Sequence, residues 1–128
     1  MKLPVLFAVC ALAFAEPPAA VLELFRIATE ELANQDAKAF LSHFDPAMPG
    51  YAKLQQQVGA LIAVNGASST TSVLRDEGDD RKRRIELDWL LRVGAARQKR
   101  TTVQVTVERQ GSVWKITSFE PVDFFSQP

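Results

Sequence analysis

Ile85-Glu86-Leu87-Asp88-Trp89-Leu90-Leu91-Arg92-Val93 is the stretch that decides the fold. Ile85, Leu87, Trp89, Leu91 and Val93 occupy alternate positions, with Glu86, Asp88, Leu90 and Arg92 between them. Successive side chains of an extended chain point to opposite faces, so this pattern predicts a strand with one face buried and one wet. The same residues wound into a helix would scatter the apolar set around the axis.

The alternation continues on the C-terminal side. Thr101, Val103, Val105 and Val107 interleave with Thr102, Gln104, Thr106 and Glu108, and Val113 to Phe119 makes a last strand after a Gln110-Gly111 turn. Upstream, Ser69 to Arg75 reads as a polar, Thr-rich strand. Gly78 and Gly94 lie in the remaining turns, where glycine tolerates a left-handed backbone at no steric cost.

Before Ala67 the period is helical. Val21, Leu24, Phe25, Ala28 and Leu32 form one stripe behind Pro17-Pro18, a dipeptide suited to a first helical turn. Asn34-Gln35 ends that helix, and Asp36 is placed to cap a short one carrying Phe40, Leu41 and Phe44. Asp45-Pro46 stops the second helix. A third reads from Tyr51, Leu54, Val58, Leu61 and Ile62, closing at Asn65-Gly66. Helices first and antiparallel strands afterwards predict an α+β fold, with three N-terminal helices lying across the apolar face of one curved sheet. Residues 120–128 read as a loose tail whose Phe124-Phe125 pair tucks back onto the core.

The N-terminus carries an address. Met1-Lys2 is followed by an apolar run from Leu3 to Phe14, and Ala13 and Ala15 supply the small residues of a cleavage site. This is the anatomy of a secretory signal peptide over residues 1–15, leaving one domain over 16–128. The run is shorter than the roughly 20 apolar residues of a membrane span. Phe7 and Val9 fit lipoprotein processing at Cys10 poorly. The expected location is therefore the periplasm or the extracellular medium, with no membrane association after cleavage.

Cleavage would remove Cys10, the one cysteine, along with Lys2. The remaining chain has no disulfide, thiolate nucleophile or thiolate metal site, and a formal charge of −1. Near-neutral charge argues against a nucleic-acid partner. One histidine without cysteine argues against a metal, and no cofactor is expected.

Two passages resemble the nuclear-transport-factor-2-like superfamily, which includes the SnoaL-like proteins and ketosteroid isomerase. Asn34-Gln35-Asp36-Ala37-Lys38-Ala39-Phe40-Leu41-Ser42-His43-Phe44-Asp45 is similar to its pattern of a turn, Asp, a short apolar helix, an aromatic and Asp. Gly111-Ser112-Val113-Trp114-Lys115-Ile116 is similar to its last hairpin. The resemblance implies a cone-shaped α+β domain over the whole mature chain; function lives in sites, so it says little of activity. The isomerases use an Asp base with an oxyanion hole of a Tyr and a protonated acid. Aligned on Asp36, the family's Tyr falls at Ala28, and Met48-Pro49-Gly50-Tyr51-Ala52-Lys53, which would supply the base, holds no carboxylate.

His43, the one histidine, is a candidate pocket base, but no nucleophilic serine motif accompanies it. Asp36 and Asp45 read better as cap and turn residues than as an acid–base pair. Arg81-Lys82-Arg83-Arg84 follows Asp76, Glu77, Asp79 and Asp80, which neutralise it, so a hairpin turn with cross-strand ion pairs is expected.

The expectation is an exported, non-catalytic domain binding a small apolar ligand or a protein partner. By fold analogy, His43 and Tyr51 stand at the cavity mouth and Trp89 forms an apolar wall. The alternative is a SnoaL-like isomerase, dehydratase or hydrolase with His43 or a carboxylate as base. The outer sheet face, carrying Leu90, Thr102, Gln104, Thr106 and Trp114, is the expected seam of a homodimer.

Overall fold

The computed structural model describes residues 18–63 and 67–126. The signal peptide expected over 1–15 and the Asn65-Gly66 cap lie outside these residues. Among the described residues, α1 (Ala19–Ala33), α2 (Ala37–Leu41) and α3 (Tyr51–Ile62) precede β1 (Ala67–Gly78), β2 (Lys82–Val93), β3 (Arg97–Gln110) and β4 (Val113–Glu120). The strands form one antiparallel sheet in the order β1-β2-β3-β4.

The apolar stripe of α1 buries Val21, Leu24, Phe25, Ala28 and Leu32. Asn34 and Asp36 donate to the Glu30 and Glu31 carbonyls, and Gln35 between them adopts φ +61°, so the helix ends on a left-handed residue. The Asp36 carboxylate then accepts from Ala39 N at 3.1 Å, the expected cap of α2. After α2 the chain touches the β4 edge once, in parallel. Ile116 N donates to the His43 carbonyl and Asp45 N to the Ile116 carbonyl, both at 2.8 Å. Gly50, at φ +79°, caps α3; a Cβ there would lie 2.6 Å from Val122 Cγ2, so the turn requires glycine twice over.

In β2, Ile85, Leu87, Trp89, Leu91 and Val93 all face the core, and Val103, Val105 and Val107 of β3 join them. No polar residue is buried among the described residues. Phe124 and Phe125 do fold back into the core, at 1% and 0% exposure. The tail carrying them is fastened by Lys99, whose Nζ donates to the carbonyls of Phe124 and Ser126, each at 2.9 Å.

The placement of Trp114 on the outer face is corrected. Trp114 is buried and shares the inner face with Ile116, while Val113 is exposed. The cause is a bulge: Val107 pairs with Ile116 but Thr106 pairs with Ser118, leaving Thr117 as an extra residue. It resets the phase, so Trp114, Ile116 and Phe119 all point inward although strict alternation forbids it. Thr117 is anchored by donating to the Glu108 carboxylate at 2.8 Å. A second bulge lies at Leu74, and β1 runs to Gly78, beyond the expected Arg75.

Candidate functional site

The interior of the cone is packed with aromatic rings. Trp89 from β2 meets Phe119 of β4 and the tail residues Phe124 and Phe125, with centroids 5.7, 5.8 and 5.4 Å away. Phe40 joins through Phe125 at 5.5 Å and Phe44 at 5.3 Å. Most of these contacts are edge-to-face or tilted, the arrangement favoured by ring quadrupoles. Trp89 therefore stands inside a filled core at 1% exposure, with its Nε1 lacking a hydrogen-bond partner. Ala28, where the isomerases carry their Tyr, is buried and supplies no hydroxyl.

Open space lies elsewhere, in a groove between α2, α3 and the β4 edge with a volume of about 600 Å³. This is a usual size for a small-molecule site. Its walls are Ala37 and Leu41 from α2, Phe44, and Tyr51 from the first turn of α3. Gly59 lies further along α3, and an added Cβ would meet nothing within 4 Å. Mid-helix glycine costs about 1 kcal/mol relative to alanine, and here it leaves the groove open at that point. Lys38, Ser42, Gln55 and Lys115 supply the polar groups. Lys115 Nζ donates to the Ser42 carbonyl, tying β4 to the end of α2. No carboxylate lines the groove among the described residues.

Of the three residues expected at the site, Tyr51 lines this groove, and His43 and Trp89 do not. His43 is partly exposed and points to α1, its Nε2 lying 2.6 Å from Glu31 Oε1. A base oriented by a carboxylate is a workable catalytic pair in principle, but this one is not in a deep pocket. Sequence reasoning passed over Gly59, Lys38 and Lys115. The available signal was Gly59 itself, an interior helical glycine with no turn to make.

The other titratable clusters are structural. Asp45 Oδ1 accepts from Ala47 N and Oδ2 from Gln110 Nε2, at 2.8 and 2.9 Å; these bonds, the backbone one foremost, hold its carboxyl below the ordinary range. In the β1–β2 turn, Arg83 clasps Asp76 through two hydrogen bonds of 2.8 and 2.7 Å. The Asp76 carboxylate raises the Arg83 guanidinium's affinity for its proton. Asp79 accepts from the Arg81 and Lys82 backbone N–H groups, and these lower its carboxyl below the ordinary range. The outer sheet face is laced by Arg100 to Asp88 and Gln104 to Glu86. With Trp114 turned inward, the Leu90–Trp114 patch expected there does not form.

The helices crossing a curled four-stranded antiparallel sheet define the nuclear-transport-factor-2-like, or cystatin-like, α+β fold. The structure is similar to a protein of this class, of unknown function, from Shewanella oneidensis MR-1: TM-score 0.68, 11% identity, covering 78% of this chain and 93% of that one. A member with a cystatin-like fold from Novosphingobium aromaticivorans gives 0.62 and 14%, over 92% and 89%. A candidate scytalone dehydratase from the same organism gives 0.56 and 16%, over 78% of each chain. No family model and no curated protein matches the sequence, so the likeness is one of fold.

Proposed function

We propose that this protein is an exported, non-catalytic binding domain whose receptor surface is the groove between α2 and α3. One observation carries the reading: the cone interior is occupied by the chain's own Trp89, Phe119, Phe124 and Phe125, whereas the groove is open and apolar-walled. The buried core residues among those described are all apolar, so the core supplies no acid or base. Export is supported by the signal-peptide anatomy of residues 1–15; N-terminal sequencing of the exported protein should begin at Glu16. Homodimerisation through the outer sheet face is a further proposal, and light scattering at micromolar concentration giving a monomeric mass would remove it.

The neutral dye Nile red tests the groove. It should bind the wild type and lose most of its affinity for Gly59→Leu, whose side chain starts from a Cβ position with nothing within 4 Å. Equal binding to both proteins would place the receptor surface elsewhere. The enzymatic reading keeps one specific observation, the contact between His43 and Glu31. It predicts a turnover that His43→Gln abolishes while Gly59→Leu leaves it intact.

A further inference from the structure

We infer that the groove takes a single-chain amphiphile, its apolar tail against Leu41, Phe44 and Tyr51 and its anionic head at Lys38 and Lys115. The inference rests on the groove being the receptor surface and adds the charge of what it receives. The two charged residues lining the groove are both cationic, and no lining residue offsets them among those described. The remaining walls divide into an apolar part, with Leu41, Phe44 and Tyr51, and a polar part, with Ser42 and Gln55. A wholly apolar ligand would leave the Lys38 ammonium without an anionic partner in the groove. A cationic ligand would meet like charge. A carboxylate or sulfate head on an alkyl tail satisfies both parts.

Lys115 is prepared for this. Its bond to the Ser42 carbonyl fixes the ammonium beside the groove, and an ammonium has three donors, so two remain. The nearby carboxylate, Asp45, is lowered foremost by the Ala47 N–H, then by Gln110 Nε2, and least by the Lys115 charge. It lies outside the groove lining and offsets part of the Lys115 charge, which leaves Lys38 as the cation with no carboxylate among the lining residues. Lys38 is exposed on the short α2 and can swing its ammonium over the same region while its methylenes extend the apolar wall. The same pair of ammonium groups would serve any single-chain carboxylate or sulfate, so the head charge, not its identity, is assigned.

The test is displacement of Nile red by dodecanoate, dodecanol and dodecyltrimethylammonium, each below its micellar concentration. Dodecanoate should compete about tenfold more strongly than dodecanol at low salt, with the cation weakest, and the preference should shrink as salt rises. Lys38→Gln should cost the carboxylate about two- to fivefold and the alcohol nothing. Lys38→Glu, at an exposed position outside the core, should reverse the preference towards the cation. Equal competition by all three amphiphiles would overturn the anionic head and leave the groove standing. Failure of Gly59→Leu to weaken any of them, with its melting temperature intact, would overturn the groove and the head together.

Discussion

Replacing Phe125 by alanine should destabilise this domain far more than its position in the tail after β4 suggests. Phe125 is fully buried, with ring centroids of Phe40, Trp89, Phe119 and Phe124 at 5.5, 5.4, 5.4 and 5.1 Å. Burial of such a side chain contributes about 1.5–3 kcal/mol, and well-oriented ring pairs add about 0.5–1.5 kcal/mol. The residual cavity brings the loss into the range of about 3–5 kcal/mol measured for buried aromatic truncations. For a domain of this size that is a fall in melting temperature on the order of 12–20 °C. Urea unfolding followed by Trp fluorescence should show a lower midpoint with an unchanged slope. Because the void would be lined by aromatic side chains, benzene or indole should bind in it and restore part of the stability. A loss below about 1 kcal/mol would refute the reasoning: the tail would then not be plugging the cone, and the case for a filled interior would fall with it.

Three further outcomes follow from the same packing. Gly59→Ala should raise stability by about 0.5–1 kcal/mol in thermal melts, since the site is helical and the added Cβ meets open space. Asp76→Ala should cost about 2–3 kcal/mol, because the Asp76–Arg83 side chains are only 6% and 13% exposed, whereas Arg100→Ala, whose side chain is 69% exposed, should leave the melting temperature almost unchanged. Asp45, Asp79 and Asp88 hold folded-state affinities for protons below the ordinary value of 3.8, mainly through hydrogen bonds to their carboxylates. The unfolded chain therefore binds more protons near that pH. The stabilisation is present above about pH 4 and is lost as acid titrates through the lower folded values, and a pH series of melts should decline only on that acidic side.

Several features were legible before any coordinates because each is written in a local pattern. The period of β2 and β3 assigned their buried faces correctly residue by residue, and the stripe from Val21 to Leu32 did so for α1. Asp36 announced its cap by its type and its place before an apolar run. The Arg75–Arg84 passage announced a charge-compensated turn. The assignment failed at Trp114, where alternation extrapolated across β4 missed the extra residue at Thr117. A bulge has no composition of its own, and nothing in Val113-Trp114-Lys115-Ile116-Thr117 distinguishes a regular strand from an interrupted one. His43 was selected for its chemistry, and the fold spends it on Glu31 at the edge of α1.

What the sequence determined alone is the set of elements and, β4 excepted, the face each turns to the core. These follow from periodicity and from the energetic separation of apolar side chains from water, which operate within a few residues of one another. Only the tertiary structure decided which interior is full and which surface is open. The ring cluster draws Phe40, Trp89 and Phe125 together from a helix, a strand and the tail. The groove joins Lys38, Gly59 and Lys115 around a space that none of them borders by sequence. Such a space is the remainder left after other side chains have packed, so it exists only once the elements are docked.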